Sequence, residues 1–390
     1  MNSRERVLAA INHQYPDRIP FDLGGMAQSG IHQIGYKRLR NKLGLPEIQG
    51  QVLNINTQQA KFDTDIQERL DIDTVMVYSD WASVEKSNVM DDREYWVYTD
   101  QWGVKRRMPV DDGLYFDVVT HPLDVDNVLE RMTDYPWPNP TDPSRLDGLL
   151  AEAQNARERG KFVVLMGLCP GIVEMYSWLR GYQRFYIDLA GEPMVVEAFL
   201  NKMVELKSAY WHMALGQLGQ YIDAVNEADD MAGQDNLLFS PATYRKLIKP
   251  YHARLFRAIK QYKPDVKLIF HTCGAVRKLI PDFIEIGVDV LNPVQISATG
   301  MNPVELKREF GRDICFWGGG VDAQNTLTTG SIQDIKASVR VNIEALAPGG
   351  GFVFAPTHII QPSVPPENIL AMWQAMKANL NFYTGKGQSK

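Results

Sequence analysis

Cysteine is scarce in this chain of 390 residues, which contains only Cys169, Cys273 and Cys315. Three widely spaced cysteines do not provide a disulfide framework, so we expect a cytoplasmic protein in a reducing environment. Long apolar stretches are also missing, since no run approaches the roughly 18 residues of a membrane-spanning helix. The N-terminal segment is charged from its fourth residue and lacks a long apolar core, which is not typical of a signal peptide.

Positive charge is not in excess either. The formal net charge is -6 at pH 7, which argues against a nucleic-acid partner. The chain is 45% hydrophobic and 23% charged, a composition typical of soluble globular proteins. Its length fits two domains or one large α/β barrel. The sequence leaves the oligomeric state open, and a homodimer is compatible with it.

Eight short apolar segments, ended by residues such as Gly, Pro, Asp or His, predict eight strands. They span residues 18–23, 74–78, 162–168, 224–228, 266–270, 288–292, 314–317 and 352–355. Segments with helical periodicity lie between most of them, which indicates a parallel sheet and, with eight units, a (β/α)8 TIM barrel. A doubly wound α/β sheet is the alternative, but the first βα turns carry no G-x-G-x-x-G motif followed by an acidic residue.

Residues 81–150 interrupt this alternation after the second strand. Aromatic and polar residues alternate over residues 94–117, around turn-forming segments at 100–103 and 111–113. This pattern predicts a hairpin or small β-insertion. We therefore expect one barrel domain over residues 1–390, with residues 81–150 as a lid or edge decoration.

Two potential metal ligands, His271 and Cys273, follow the fifth predicted strand. Side chains two apart on an extended segment point the same way, and an imidazole with a thiolate is part of a catalytic zinc site. The alternative is a half-buried histidine beside a structural cysteine. His358 follows the eighth strand on the same rim, where functional residues of TIM barrels lie. The three residues predict a Zn²⁺ site with its fourth position open, although His358 could instead be a rim hydrogen-bonding residue.

Two carboxylates, Asp229 and Asp230, follow the fourth strand. We expect at least one to face the cavity, as a general acid or base, an acceptor for a ligand histidine, or a fourth metal ligand. The alternative is that one of them caps the following turn. Glu227 lies on the same side as Asp229 and is a weaker candidate.

Other strand ends supply candidate ligand contacts. The predicted substrate-binding residues are Tyr78, Trp81, Glu227, Asn292 and Trp317. Gly318, Gly319 and Gly320 follow the seventh strand and would let the backbone approach the edge of a large cofactor. Glycine in tight turns is the alternative explanation for that triplet.

Several segments, in this order, carry a resemblance to a known family. They are residues 4–13 and 16–20, Asp229-Asp-Met231, Phe239-Ser-Pro241, Lys249-Pro-Tyr251, His271-Thr-Cys-Gly274, Trp317-Gly-Gly-Gly320 and Pro365-Pro-Glu-Asn-Ile369. Together they resemble the uroporphyrinogen decarboxylase superfamily, and its corrinoid-dependent methyltransferase branch more closely than its decarboxylases. The resemblance implies a (β/α)8 barrel, protein-bound zinc, and a corrinoid carried by a separate partner protein.

The chain departs from the family pattern at two places. Uroporphyrinogen decarboxylases carry an Arg-Gln-Ala-Gly-Arg signature after the first strand, whereas residues 22–28 contain no arginine. Burying a porphyrinogen's several carboxylates requires cationic partners, so this loss argues against porphyrinogen decarboxylation. The family's methyltransferases have a cysteine where this chain has His358. A site poorer in thiolate leaves the metal a stronger Lewis acid, which favours cleavage of an ether over activation of a thiol.

The leading hypothesis is a zinc-dependent methyltransferase that moves a methyl group between a small substrate and a corrinoid protein. A methyl ether or methoxylated aromatic is the favoured substrate, and a thiol is the other choice. One alternative is a carboxy-lyase acting on a smaller carboxylated substrate without a metal. A second alternative is a non-catalytic barrel that binds a tetrapyrrole or an aromatic ligand.

Overall fold

The computed structural model describes residues 1–46, 52–78, 90–91, 93–379 and 382. The strands are β1 (Val52–Asn54), β2 (Gln59–Ala60), β3 (Thr74–Val77), β4 (Met90–Asp91), β5 (Tyr95–Thr99), β6 (Lys105–Pro109), β7 (Asp117–Val118), β8 (Phe162–Met166), β9 (Ala224–Ala228), β10 (Lys267–His271), β11 (Val290–Asn292), β12 (Cys315–Trp317) and β13 (Phe352–Val353).

Helices separate most of the parallel strands. They are α1 (Ser3–Ile11), α2 (Gln33–Lys42), α3 (Thr64–Arg69), α4 (Val128–Thr133), α5 (Leu149–Glu158), α6 (Ile172–Arg180), α7 (Tyr182–Gly191), α8 (Pro193–Leu218), α9 (Pro241–Thr243), α10 (Lys249–Tyr262), α11 (Ile280–Glu285), α12 (Pro303–Phe310), α13 (Thr326–Thr329), α14 (Ile332–Leu346) and α15 (Pro366–Ala378). A π-helical turn, Tyr244–Ile248, joins α9 to α10. Within the described ranges, none of the helices combines the length and the apolar character that crossing a bilayer requires.

The central sheet is parallel and closes into a barrel. Its seven strands run in the order β13-β12-β11-β10-β9-β8-β3. Phe21 forms a parallel bridge with Phe354, and its carbonyl oxygen accepts a 2.9 Å hydrogen bond from the Asp73 amide. The segment around Phe21 thus completes the set of eight strands and is the first of them in chain order. The predicted (β/α)8 TIM barrel is confirmed. This first strand is shorter than the predicted 18–23, since Pro20 has no N–H with which to extend the ladder.

Side chains along the barrel strands alternate between the interior and the helix layer. In β8, Phe162 and Val164 belong to the interior apolar cluster, whereas Val163 and Leu165 pack in the outer one. Helix α1 contributes residues to the interior cluster, and its Ala10 carbonyl accepts a 2.8 Å hydrogen bond from the Gly351 amide just before β13. Helix α1 therefore closes the end of the barrel at which the strands begin, and the opposite end remains open.

The insertion after the second barrel strand forms an antiparallel sheet in the order β4-β5-β6-β7. Its β5–β6 hairpin confirms the hairpin predicted over residues 94–117. Asp100 holds the turn, because its Oδ1 accepts hydrogen bonds from the amides of Trp102 (2.9 Å) and Val104 (3.0 Å). The Phe116 amide donates a 3.0 Å hydrogen bond to the Asn56 carbonyl, which attaches the insertion to the β1–β2 hairpin. A lid role for the insertion stays a prediction.

Candidate metal centre

A cavity of about 360 Å³ lies at the open end of the barrel. This volume falls near the lower end of the roughly 300–1,000 Å³ that small-molecule sites occupy. One part of its wall contains His271 and His358. The facing part is contributed by the insertion, including Arg106, Tyr115 and Phe116. The strand ends and the insertion therefore enclose one small-molecule site.

His271, Cys273 and His358 meet at this cavity. Each offers one ligand atom, and these atoms all lie within 4.8 Å of one another. The distance from His271 Nε2 to Cys273 Sγ is 3.3 Å, and the two imidazole centroids are 5.5 Å apart. Tetrahedral zinc with bonds of about 2.0–2.3 Å places its ligand atoms roughly 3–4 Å apart. A small closing movement would thus bring the cluster around one ion.

The orientation of His271 is set by Asn292 on the neighbouring strand. The Asn292 Nδ2 group donates a 2.9 Å hydrogen bond to the Trp317 carbonyl, which turns its Oδ1 toward the imidazole. His271 Nδ1 lies 2.6 Å from that oxygen and must be the donor there. The remaining nitrogen, Nε2, then carries a free lone pair toward Cys273. This is the arrangement by which proteins prepare a histidine for a metal.

Both histidines are held in the neutral form that a metal ligand needs. Burial lowers the pKa of His271, and the Asp230 charge and the Asn292 hydrogen bond only partly oppose this effect. Burial, reinforced by the neighbouring His271, lowers the pKa of His358 to about 4. Protons therefore do not compete strongly with a cation for these two nitrogens near neutral pH.

Cys273 is a protonated thiol as long as no cation is near. Burial raises its pKa well above the ordinary value, and the negative charges of Asp230 and Glu174 add to the effect. The Cys273 amide donates a 2.8 Å hydrogen bond to Asp230 Oδ1, which lies 4.0 Å from His271 Nε2. Asp230 thus faces the cavity beside the cluster, as expected for one of the two aspartates.

The neighbouring carboxylate, Asp229, does not face the cavity. It is fully buried and accepts hydrogen bonds from the amides of Val173 (2.9 Å) and Glu174 (2.8 Å) at the start of α6, and His252 Nε2 lies 2.9 Å away. Asn226, Ala228 and Asp230 line the cavity, so the alternation along β9 turns Asp229 toward the helices. The interpretation of Asp229 as a catalytic group is therefore corrected: it caps and anchors a helix.

Glu227 shares this outward orientation and is likewise not a substrate contact. Its carboxylate pairs with Lys207 at 3.0 Å and accepts a 2.5 Å hydrogen bond from the Trp211 indole. Lys207 is completely buried and also donates 2.8 Å hydrogen bonds to the carbonyls of Cys169 and Pro170. Glu227 and Lys207 thus fix the loop after β8, and Cys169 and Pro170 of that loop line the cavity.

The predicted aromatic contacts have different outcomes. Tyr78 lines the cavity, and its hydroxyl accepts a 3.1 Å hydrogen bond from Asn54. Trp317 is fully buried in the barrel interior, where its indole donates a 2.8 Å hydrogen bond to Asp22. Trp317 is therefore a core residue, not a substrate contact. Trp81 lies outside the described residues. Asn292 acts on His271, as described above, and does not line the cavity.

The glycine triplet Gly318, Gly319 and Gly320 packs against the barrel itself. Gly318 and Gly319 have φ values of +96° and +79°, which other residues rarely adopt. A Cβ atom on Gly320 would lie 2.4 Å from the ring of Phe354. The triplet does not line the cavity, so its interpretation as a cofactor contact is corrected: turn geometry and packing account for all three glycines.

Glu174 is a cavity-lining residue that the sequence did not reveal. It lies in the first turn of α6. Burial raises its pKa well above the ordinary value, and the charges of Asp230 and Asp229 raise it further. The raised pKa favours the protonated form of this carboxyl group. Only the strand-to-helix loop after Cys169 could have indicated it, and that loop carries no spacing specific to catalysis.

The barrel and its His/Cys/His cluster define a metal-compatible TIM-barrel protein. The chain belongs to the family described as "Uroporphyrinogen decarboxylase (URO-D)", whose profile matches residues 98–379. It is 26% identical over 190 residues to a uroporphyrinogen decarboxylase of Gloeobacter violaceus, covering 48% of this chain and 49% of that protein. It is 24% identical over 194 residues to the Nostoc punctiforme enzyme of that name, covering 49% of each. The chain thus spans about half the length of the curated relatives it matches.

The fold is shared with a solved methyltransferase from Methanosarcina mazei. The TM-score is 0.64 at 19% sequence identity, and the match covers 97% of this chain and 99% of that chain. At this identity the likeness demonstrates the common barrel across almost the whole of both proteins.

Proposed function

We propose that this protein is a zinc-dependent methyltransferase that moves a methyl group between a small substrate and the corrinoid of a partner protein. The observation that carries the proposal is the meeting of His271, Cys273 and His358 at the cavity. The fold shared with a methyltransferase from Methanosarcina mazei supports it. A methyl ether on an aromatic ring is the preferred substrate class.

The residues present suit zinc. Two imidazoles and one thiol are borderline-soft donors, and three protein ligands leave one position for a substrate. His271 Nε2, Cys273 Sγ and one nitrogen of His358 would hold the ion. When bound there, Zn²⁺ supplies Lewis acidity to a substrate oxygen, or holds a thiol acceptor as its thiolate.

The chain itself provides orientation and proton transfer. Asn292 keeps His271 in one tautomer, and Asp230 fixes the backbone at Cys273. Breaking the methyl–oxygen bond leaves an anionic oxygen that requires a proton. Glu174 faces the cavity with a raised pKa, so its carboxyl group is a suitable proton donor.

The cavity favours a small substrate over a porphyrinogen. Among the described residues that line it, Arg106 is the only lysine or arginine. A porphyrinogen would bring several carboxylates into a site with one guanidinium, and burying unpaired charges is costly. This agrees with the missing arginine signature in residues 22–28.

The test is methyl transfer from a methoxylated aromatic to a corrinoid protein, measured together with zinc content. We expect His271→Ala and Cys273→Ala each to lose the metal and the activity. Cys315→Ala is the matched control, since Cys315 is fully buried in the barrel wall and does not line the cavity. Undiminished transfer by a metal-free His271→Ala/Cys273→Ala double variant would contradict the proposal.

A second candidate function is a metal-independent carboxy-lyase. Membership of the URO-D family and the names of the two curated relatives favour it. Stoichiometric zinc in the purified protein supports methyl transfer, whereas release of CO₂ from a small carboxylated substrate by metal-free protein supports the lyase.

We propose the cytoplasm as the site of the reaction. Cys169, Cys273 and Cys315 are all free thiols. A reducing compartment keeps such thiols unoxidised and leaves Cys273 available as a ligand.

A further inference from the structure

Unpartnered polar atoms are concentrated in the wall of the cavity. Across the described part of the chain, eleven buried side-chain nitrogen or oxygen atoms make no hydrogen bond, and seven of them belong to residues that line this cavity. The six residues concerned are Gln28, Asn56, Thr57, Gln59, Arg106 and Asn226. A buried polar atom without a partner costs roughly 1–3 kcal/mol, so such a concentration at one site requires an explanation.

Half of these six residues lie across the barrel from His271. Asn56, Thr57 and Gln59 belong to the β1–β2 hairpin, which lies in the connection between the first and second barrel strands. His271 ends the fifth strand, opposite the first in an eight-stranded barrel. We call this group of six residues the amide wall. A ligand that extends from the group of His271, Cys273 and His358 across the cavity would contact the amide wall.

Gln59 is the most tightly enclosed member of the amide wall. It is completely buried, and neither its Oε1 nor its Nε2 has a hydrogen-bond partner among the residues that the structure describes. A Cβ atom on Gly30 would lie 1.9 Å from Gln59 Nε2, so the amide fits only because residue 30 has no side chain. Since both amide atoms are free, either orientation of the group presents one donor and one acceptor.

Arg106 adds a positive charge to the same wall. Its guanidinium stacks on Trp178 at 4.3 Å from the ring centroid, and its Nε donates a 3.2 Å hydrogen bond to Asp100. The Nη2 group is buried and makes no hydrogen bond within the described ranges of the chain. The stack and the ion pair fix the guanidinium plane, which leaves a rigid charged donor at the cavity.

We infer that the amide wall recognises an aromatic methyl-ether substrate through one carboxylate and one hydroxyl group on its ring. This inference rests on the proposed methyl transfer and names the substrate class for the same site. Arg106 Nη2 and the amide donors of Asn56 and Gln59 pair with the carboxylate. Gln28 Oε1 or Asn226 Oδ1 accepts the hydrogen bond that the hydroxyl group donates.

The rest of the cavity fits this ligand class. Tyr78, Tyr115, Phe116 and Trp178 supply aromatic surface for a planar ring. Arg106 is the positive group that the described lining offers to a carboxylate, and a purely apolar ether leaves the amides unpartnered. A substrate with several carboxylates would bring more negative charges than the single guanidinium of Arg106 can pair.

Binding calorimetry on the zinc-loaded protein, without corrinoid protein, tests the inference. The probes are 4-hydroxy-3-methoxybenzoate, its carboxamide, and methoxybenzene. We expect the acid to bind at least about tenfold more tightly than the carboxamide, because its hydrogen bonds are charge-assisted, and methoxybenzene to bind most weakly. Equal affinity for the acid and the carboxamide overturns the assignment of a carboxylate.

A pair of glutamine variants separates recognition from structure. Gln59→Leu removes unpartnered atoms, so we expect weaker binding of the acid by about fivefold or more with an unchanged or higher Tm. Gln67→Leu is the matched control: Gln67 is also buried, but it donates to the Phe62 carbonyl at 3.3 Å and accepts from Arg159 at 3.1 Å. That control should lower Tm and leave binding unchanged. A Gln59→Leu variant that binds the acid like the parent protein overturns the role of the amide wall.

The two proposals fail in different ways. If the acid is preferred but no methyl group is transferred, recognition stands and the proposed reaction is wrong. If methyl transfer from another ether is found and the acid binds no better than its carboxamide, the reaction stands and the recognition is wrong.

Discussion

The two sides of the cavity differ in how their polar groups are satisfied. At the candidate metal site, His271 Nδ1 is hydrogen-bonded to Asn292. The backbone amides of Cys273 and Gly274 donate hydrogen bonds to Asp230 and Gln295, respectively. In the amide wall, buried side-chain atoms have no hydrogen-bond partner among the described residues. Groups that position other groups are therefore bonded internally, whereas the unpartnered groups are available to an external molecule. This difference in hydrogen bonding distinguishes residues that hold the site in place from residues that are available to contact a ligand.

Removing a metal ligand should have the largest effect. We expect His358→Ala to reduce zinc content to background, because two remaining ligands hold the ion poorly. His358→Cys should retain zinc, since a thiolate is a competent ligand and cysteine occupies this place in the methyltransferases that the chain resembles. Metal analysis of both purified variants is the measurement. Full zinc in His358→Ala would remove His358 from the site.

The adjacent aspartates offer a comparison of stability. Asp229→Ala should lower the free energy of unfolding by about 3–5 kcal/mol, because buried hydrogen-bond donors, including His252, lose their acceptor. Asp230→Ala should cost about 1 kcal/mol or less, since its side chain is 45% exposed. Urea denaturation of the two variants measures the difference. Equal losses would mean that Asp230 also belongs to the framework.

Loosening the support of a metal ligand should have an intermediate effect. Asn292→Leu removes the acceptor that holds His271 Nδ1, so we expect zinc affinity to fall about 10–100-fold. Competition with a chromogenic chelator measures this change. Unchanged affinity would show that packing alone orients the imidazole.

The smallest effect on folding is expected in the amide wall. Asn226→Leu removes an unpartnered oxygen, so the free energy of unfolding should change by less than about 1 kcal/mol, with zinc retained. Asn54→Leu is the contrasting variant. Its Oδ1 accepts hydrogen bonds from the amides of Asn56 (2.9 Å) and Thr57 (3.2 Å), and we expect a clear destabilisation. Similar Tm losses in both variants would remove the distinction between internally bonded and unpartnered polar groups.

The fold was predictable because each barrel strand is a short apolar segment with a clear end. The positions of His271 and His358 followed from that regularity, since strand ends share one rim. The direction of neighbouring side chains was not predictable on β9. Both faces of a parallel barrel strand are buried, so the pattern cannot distinguish Asp229 from Asp230. The partner of Glu227, Lys207, comes from the long helix α8, and no local spacing connects the two.

The amide wall could not be predicted for a different reason. Its residues come from the loop after the first barrel strand, a short hairpin, an insertion and a strand interior that lie far apart in the chain. Isolated asparagine and glutamine residues are typical of loops, and only the three-dimensional structure reveals that they lack partners. Likewise, the positive φ of Gly318 and Gly319 serves a turn, which sequence alone does not distinguish from close approach to a ligand.

The plug formed by α1 at one end of the barrel has a kinetic consequence. Under the proposed function, the small substrate and the corrinoid of the much larger partner protein would both reach the cavity through the open end of the barrel, because α1 closes the other end. Under the proposed function, the substrate has to enter first, and the demethylated product can leave only after the partner departs. Excess corrinoid protein should then block the entrance to the cavity and slow turnover. This order of binding and release follows from the closed end of the barrel and not from the affinities of the two molecules.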